Sequence, residues 1–174
     1  MRNFLTLSLF VCLTSSCSNT LISDLNKLEK DVEHSKKLLA KLEQNGFNTS
    51  IIDLKRHLNI AKKIPYEKQY DKYFKNEFET IHNRLKRLLR FENYLKSERI
   101  SDRIDFDLMQ IKNLRHDIKN KLIEQPQAII EVENEKNAIL PYLTDFNNNV
   151  NNIILLLETH DSVETHMQLL WDNW

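Results

Sequence analysis

A chain of 174 residues with 25 Lys and Arg against 25 Asp and Glu, formal net charge +0, carries no global field to gather nucleic acid or anionic lipid. One glycine, Gly46, and three prolines are too few for the turns of an all-β fold, and they leave no glycine-rich loop to cradle a phosphate. The two cysteines, Cys12 and Cys17, both lie near the amino terminus, so no disulfide framework can hold the body together and its core must do so.

The first element reads as an export segment. Arg2 supplies a positive start, Phe4 to Leu13 is a short apolar run, and Thr14, Ser15 and Ser16 stand directly before Cys17. A membrane-spanning helix needs about 20 apolar residues, so this run is a signal over residues 1–16 and not a span. The segment Leu13-Thr14-Ser15-Ser16-Cys17 resembles the lipobox of bacterial lipoproteins, with Thr14 where that pattern prefers Leu. The resemblance implies diacylglycerol transfer to the Cys17 thiol, cleavage before it and acylation of the new amino terminus. Cys12 fits less well, because Val11 would occupy the cleavage position, and the rival processing is ordinary cleavage after Ser18. Several acyl chains anchor a protein stably, since each buried methylene contributes about 0.8 kcal/mol.

The body, 17–174, reads as one helical domain with regular apolar seams. Leu21, Leu25, Leu28, Val32, Ser35, Leu39 and Leu42 follow the 4-3 spacing of a helix packed along its length. Gly46 suits the C-cap, and Asn48, Thr49 and Ser50 offer N-caps for a second helix with seam Ile51, Leu54, Leu58 and Ala61, closed by Pro65. A third helix from Tyr66 to Leu95 has the seam Tyr70, Phe74, Phe78, Ile81, Leu85, Leu88 and Leu95, with Glu92 interrupting. Ser101 or Asp102 caps a fourth, with Ile104, Leu108, Ile111, Leu114, Ile118 and Leu122. Pro126 opens a fifth, with Ile129, Val132, Ile139, Leu143, Phe146, Val150, Ile153 and Leu157, in which Pro141 should kink the chain near Asn137. Asp161 and Glu164 have capping-box spacing ahead of a short last helix with Met167, Leu170 and Trp171, the indole packed in the core. Short connections favour antiparallel neighbours, so the expected fold is all-α: an antiparallel bundle of four to five long helices plus a short C-terminal helix.

Candidate sites are sparse. The pair Glu79 and His82 has the Glu-x-x-His spacing of carboxylate-bridged di-iron bundles, but those need two copies and this chain has one. His160, Glu164 and His166 are the densest set of metal-ligand types, but capping by Asp161 and Glu164 with the histidines exposed is the preferred account, and no metal or cofactor is expected. Without a Gly-x-Ser-x-Gly elbow or a cysteine in the body, nucleophilic catalysis has no foothold, and no enzyme activity is expected. The basic run Arg84, Lys86, Arg87 and Arg90 reads first as a solvated flank of the Leu85–Leu88 seam, and a binding patch for a polyanion or a protein is the best-localised alternative.

Signal, Cys-free helical body and an abundance of Asn, Lys and Ile together resemble the helical surface lipoproteins of spirochaetes, a class that includes adhesins and binders of host complement regulators. The resemblance covers the whole chain and carries no diagnostic motif. It implies a binding module on the outer membrane or cell surface, held by acyl chains on Cys17, with a protein partner and no nucleic acid; the alternative is a structural, exclusion or immunity-type envelope lipoprotein. Ser18 and Asn19 lack the Asp that retains enteric lipoproteins at the inner membrane. The first seam starts at Leu21, which leaves no long tether and sets the domain close to its membrane.

Overall fold

The computed structural model describes the backbone of residues 3–64 and 72–172 and the side chains of 18–64 and 74–172. The side chains of Cys12 and Cys17, the expected stop and start at Pro65 and Tyr66, the seam position Tyr70, and Trp174 lie outside the described residues. Every regular element described is a helix: α1 Asn3–Gln44, α2 Phe47–Ala61, α3 Lys72–Ser97, α4 Ile100–Lys119, α5 Gln125–Glu158 and the shorter α6 His160–Asp172. This is the all-α bundle that the seams predict. Among the described residues no helix is long and apolar enough to cross a membrane. The chain divides into two compact units, one of Met1–Lys36 with Ser101–Phe146 and one of Lys37–Ile100 with Asn147–Trp174.

In the first unit, Leu25, Leu28 and Val32 of α1 are buried with Ile104, Ile111 and Leu114 of α4 and Val132, Ile139 and Phe146 of α5. The α1–α4 pair is antiparallel: Glu29 meets Arg115, while seven residues on Lys36 meets Asp105 at 2.7 Å. Three seam positions differ from expectation. Asp107, not Leu108, faces inward, and Leu122 lies past the end of α4, 63% exposed, because the helix stops at Lys119. Asp107 is tolerated there because Tyr142 donates to its carboxylate and Arg103 stacks 3.7 Å from the Tyr142 ring centre. Burial still pushes its carboxyl up, with Tyr142 and Arg103 working against the shift. Similarly Ala128 is buried on α5 in place of Ile129, which is exposed. Helix α5 continues through Pro141, whose missing N–H deprives the Asn137 carbonyl of its helical donor; Arg103 reaches the neighbouring Ala138 carbonyl at 3.2 Å.

In the second unit α2 lies against α3, with Phe47 edge-on to Phe91 at 6.0 Å. Helix α2 begins earlier than the hydroxyl and amide caps suggest. Gly46, at φ 73, serves both as the left-handed stop after α1 and as the residue from which α2 starts, so Asn48, Thr49 and Ser50 fall inside its first turn. The reason is Phe47: only 4% exposed, it gains more by packing on Phe91 than a side-chain cap at Ser50 would supply. On α3, Phe91 takes the inward place that Glu92 interrupts. Val150, Ile153 and Leu157 of α5 and Met167 and Leu170 of α6 complete this core.

Candidate functional site

The densest polar constellation of the second unit is built by two helices. On α2, Asp53, Arg56 and His57 stand at i, i+3 and i+4 and so share one face. On α6, His160, Glu164 and Trp171 stand at i, i+4 and i+11, again a single face. At their centre is His57, 0% exposed. Trp171 Nε1 donates to His57 Nδ1 at 2.6 Å, and His57 Nε2 lies 2.5 Å from Glu164 Oε2. An indole N–H can only donate, so Nδ1 is the acceptor and the ring proton sits on Nε2, pointing at the carboxylate. Arg56 donates to the other Glu164 oxygen and lies 3.8 Å from Asp53. Burial works to raise the Glu164 carboxyl, but the hydrogen bonds and charges of His57 and Arg56 outweigh it and hold the group below the ordinary range. His160, itself buried, places Nε2 3.4 Å from Asp53 Oδ2.

Asp53, His160 and Glu164 thereby bring one ligand atom each to within 4.8 Å of one another. They line a groove of about 490 Å³ together with Lys41, Glu158 and Asp161. The sequence points to His160 and Glu164 but groups them with His166, whereas the fold puts Asp53 in its place. His166 leaves the cluster and meets Glu77 at 3.4 Å, because six residues on from His160 the helix has turned well away. Nor do Asp161 and Glu164 form a capping box: α6 already begins at His160, and Glu164 turns to His57 and Arg56. Sequence reading misses Asp53, Arg56 and His57. A signal existed for His57, since Ile51, Leu54, His57 and Ala61 follow seam spacing as well as the set with Leu58 does. Trp171 is half-buried and not deep in the core, its ring set against His57 and Phe74.

Glu79 and His82 are both exposed, and His82 stacks on Phe78 at 6.2 Å. The basic run divides. Arg84 turns into the fold, donating to the Leu156 carbonyl at 2.6 Å and to Thr159 Oγ1 at 3.0 Å, at the end of α5 where carbonyls lack helical partners. Lys86 is exposed. Arg87 and Arg90 line a groove of about 320 Å³ between α3 and α5 with Phe91, Tyr94, Asn149, Asn152 and Ile153. Among the described residues neither of these two arginines forms an ion pair. Compared with known proteins, the chain matches no family model, no curated protein and no solved structure.

Proposed function

We propose that this chain is an exported helical lipoprotein, anchored through acyl chains on Cys17 at the outer membrane or cell surface, that binds a protein partner and catalyses nothing. The observation that carries the binding reading is the α3–α5 groove. Two guanidinium groups with no acidic partner among the described residues stand beside Phe91 and Tyr94, with Asn149 and Asn152 of α5 also lining the groove. Arginine and tyrosine are the residue types that dominate binding energy at interfaces, and arginine pairs a carboxylate through two parallel hydrogen bonds. The groove therefore suits an acidic segment of a protein partner. The anchoring reading rests on the lipobox-like segment before Cys17 and on the short apolar run that precedes it.

The two parts are tested separately. Cys17→Ser should move the protein from the detergent phase to the aqueous phase without changing its circular dichroism; continued partition into detergent rejects the anchor. Protease treatment of intact cells should remove a surface-exposed chain and spare an inward-facing one. A pull-down with wild type and with the Arg87→Gln, Arg90→Gln double variant should retain one partner on the first and lose it on the second. A partner held equally by both rejects the groove.

A further inference from the structure

We propose that Asp53, His160 and Glu164 form a site for a divalent transition metal of the zinc type. The site is independent of the Cys17 anchor and of the arginine groove. One imidazole nitrogen and two carboxylate oxygens are a donor set for zinc and its neighbours; calcium and magnesium take oxygen ligands throughout. Metal–ligand bonds of about 2.0–2.1 Å in a tetrahedron put neighbouring ligand atoms roughly 3.3–3.4 Å apart. His160 Nε2 and Asp53 Oδ2 are already 3.4 Å apart, one edge of such a tetrahedron. Glu164 supplies the third corner, inside the 4.8 Å that spans the set. The fourth corner is left to a water from the groove that these ligands line, where Asp161 adds negative charge and Glu158 is paired with Lys41 at 3.6 Å.

The ligands are also held from behind. Metal-binding groups are oriented by hydrogen bonds from a second layer, which fix the angle at which the lone pairs point. Glu164 has such a support in His57, and His57 has its own in Trp171, a part-buried chain that fixes one tautomer. His160 and Asp53 sit on different helices, so a metal would join α6 to α2 at a point where 107 residues of chain separate its ligands.

Arg56 is the competitor. Its guanidinium binds Glu164 and lies near Asp53, supplying the positive charge that the two carboxylates otherwise lack. It is 48% exposed on a flexible stem, so it can swing into solvent when a metal enters. This makes the proposal distinguishable from a purely structural cluster. Removing Arg56 should weaken a salt-bridge network but strengthen a metal site.

The test is isothermal titration of Zn²⁺ into the untagged full chain in detergent, carrying Cys12→Ser and Cys17→Ser so that no thiol competes. Co²⁺ absorption in the visible serves as a second readout of coordination. One equivalent should bind. Asp53→Asn and His160→Asn should each weaken binding about tenfold or more. Arg56→Gln should tighten it, and His166→Asn should leave it unchanged. Thermal melts should show Zn²⁺ raising the midpoint of the parent chain and of the Arg56→Gln variant, and not that of Asp53→Asn. Absence of saturable binding to both the parent and the Arg56→Gln variant overturns the proposal, as does binding that survives Asp53→Asn and His160→Asn or vanishes with His166→Asn. Because Arg56→Gln removes no ligand and no core contact, it remains informative even if a ligand variant fails to fold.

Discussion

At the scale of single residues, the basic run shows how one kind of side chain serves two ends. Arg84, Arg87 and Arg90 lie on the same helix, yet Arg84 is spent on the end of α5 and the other two open onto a groove. Arg84→Gln removes the donor to the Leu156 carbonyl and should destabilise the protein by about 1–3 kcal/mol. The Arg87→Gln, Arg90→Gln pair, at exposed positions with no ion-pair partner among the described residues, should change stability by less than about 0.5 kcal/mol. Urea denaturation of the two variants checks this, and a similar loss in both would mean that the groove arginines are structural after all. Binding of the acidic partner should behave in the opposite way. The pair should slow its association, and added salt should have the same effect on wild type, since charges at this distance are screened beyond about 8 Å at physiological ionic strength.

At the scale of the element, α6 is too short to be a stable helix by itself and depends on what it docks against. Met167 and Leu170 supply the apolar contact, and the Trp171–His57–Glu164 chain supplies the polar one. Trp171→Phe keeps most of the ring area but leaves Nδ1 of a fully buried histidine without a donor, a loss of about 1–3 kcal/mol. Chemical denaturation measures it, and nitrogen NMR of His57 should show the Nε2–H tautomer in wild type. The opposite tautomer in wild type would refute the assigned direction of the chain. The same element shows why the sequence is readable only in part. A 3.6-residue period marks α6 as a helix with an apolar stripe, but Glu164 satisfies capping spacing and partner spacing at once, and only the position of α2 decides between them.

At the scale of the whole molecule, each compact unit is assembled from two separated stretches of chain, so neither corresponds to a contiguous fragment. Each also holds a carboxylate with a shifted pKa, buried Asp107 in the first and half-buried Glu164 in the second, and the two respond to pH in opposite senses. Glu164 is held below the ordinary range, so its stabilising contribution is present above the unfolded carboxylate pKa and is lost as pH falls through the lowered folded value. Asp107 is pushed above it, so its charged form is a cost at neutral pH that is relieved as pH falls through the raised folded value. Glu164→Gln should therefore lower the melting midpoint at neutral pH and Asp107→Asn should raise it, and both differences should shrink toward zero on acidification. Glu135 will follow Asp107, since burial and then the charges of Asp107 and Glu131 raise its own carboxyl. Thermal melts from neutral to acid pH check the pair of signs; a stabilising Glu164→Gln or a destabilising Asp107→Asn would reverse the assignment.

From the sequence alone came the helical class and the long seams, because each is written in local spacing or composition: Leu21 to Leu42 repeats with the helix period, and glycine and proline are nearly absent. The alternation of apolar and polar side chains does not set the phase of each helix to within one residue. His57 in place of Leu58 and Asp107 in place of Leu108 are both slips of one position, about 100° of helix, and each puts a titratable group inside. Partners were less legible still. Asp53 and His160 are 107 residues apart, Arg84 and Leu156 are 72 apart, and no local pattern relates them. Such pairs are chosen by which helices pack and at what rotation, and that is decided only when the apolar faces of all of them are buried together.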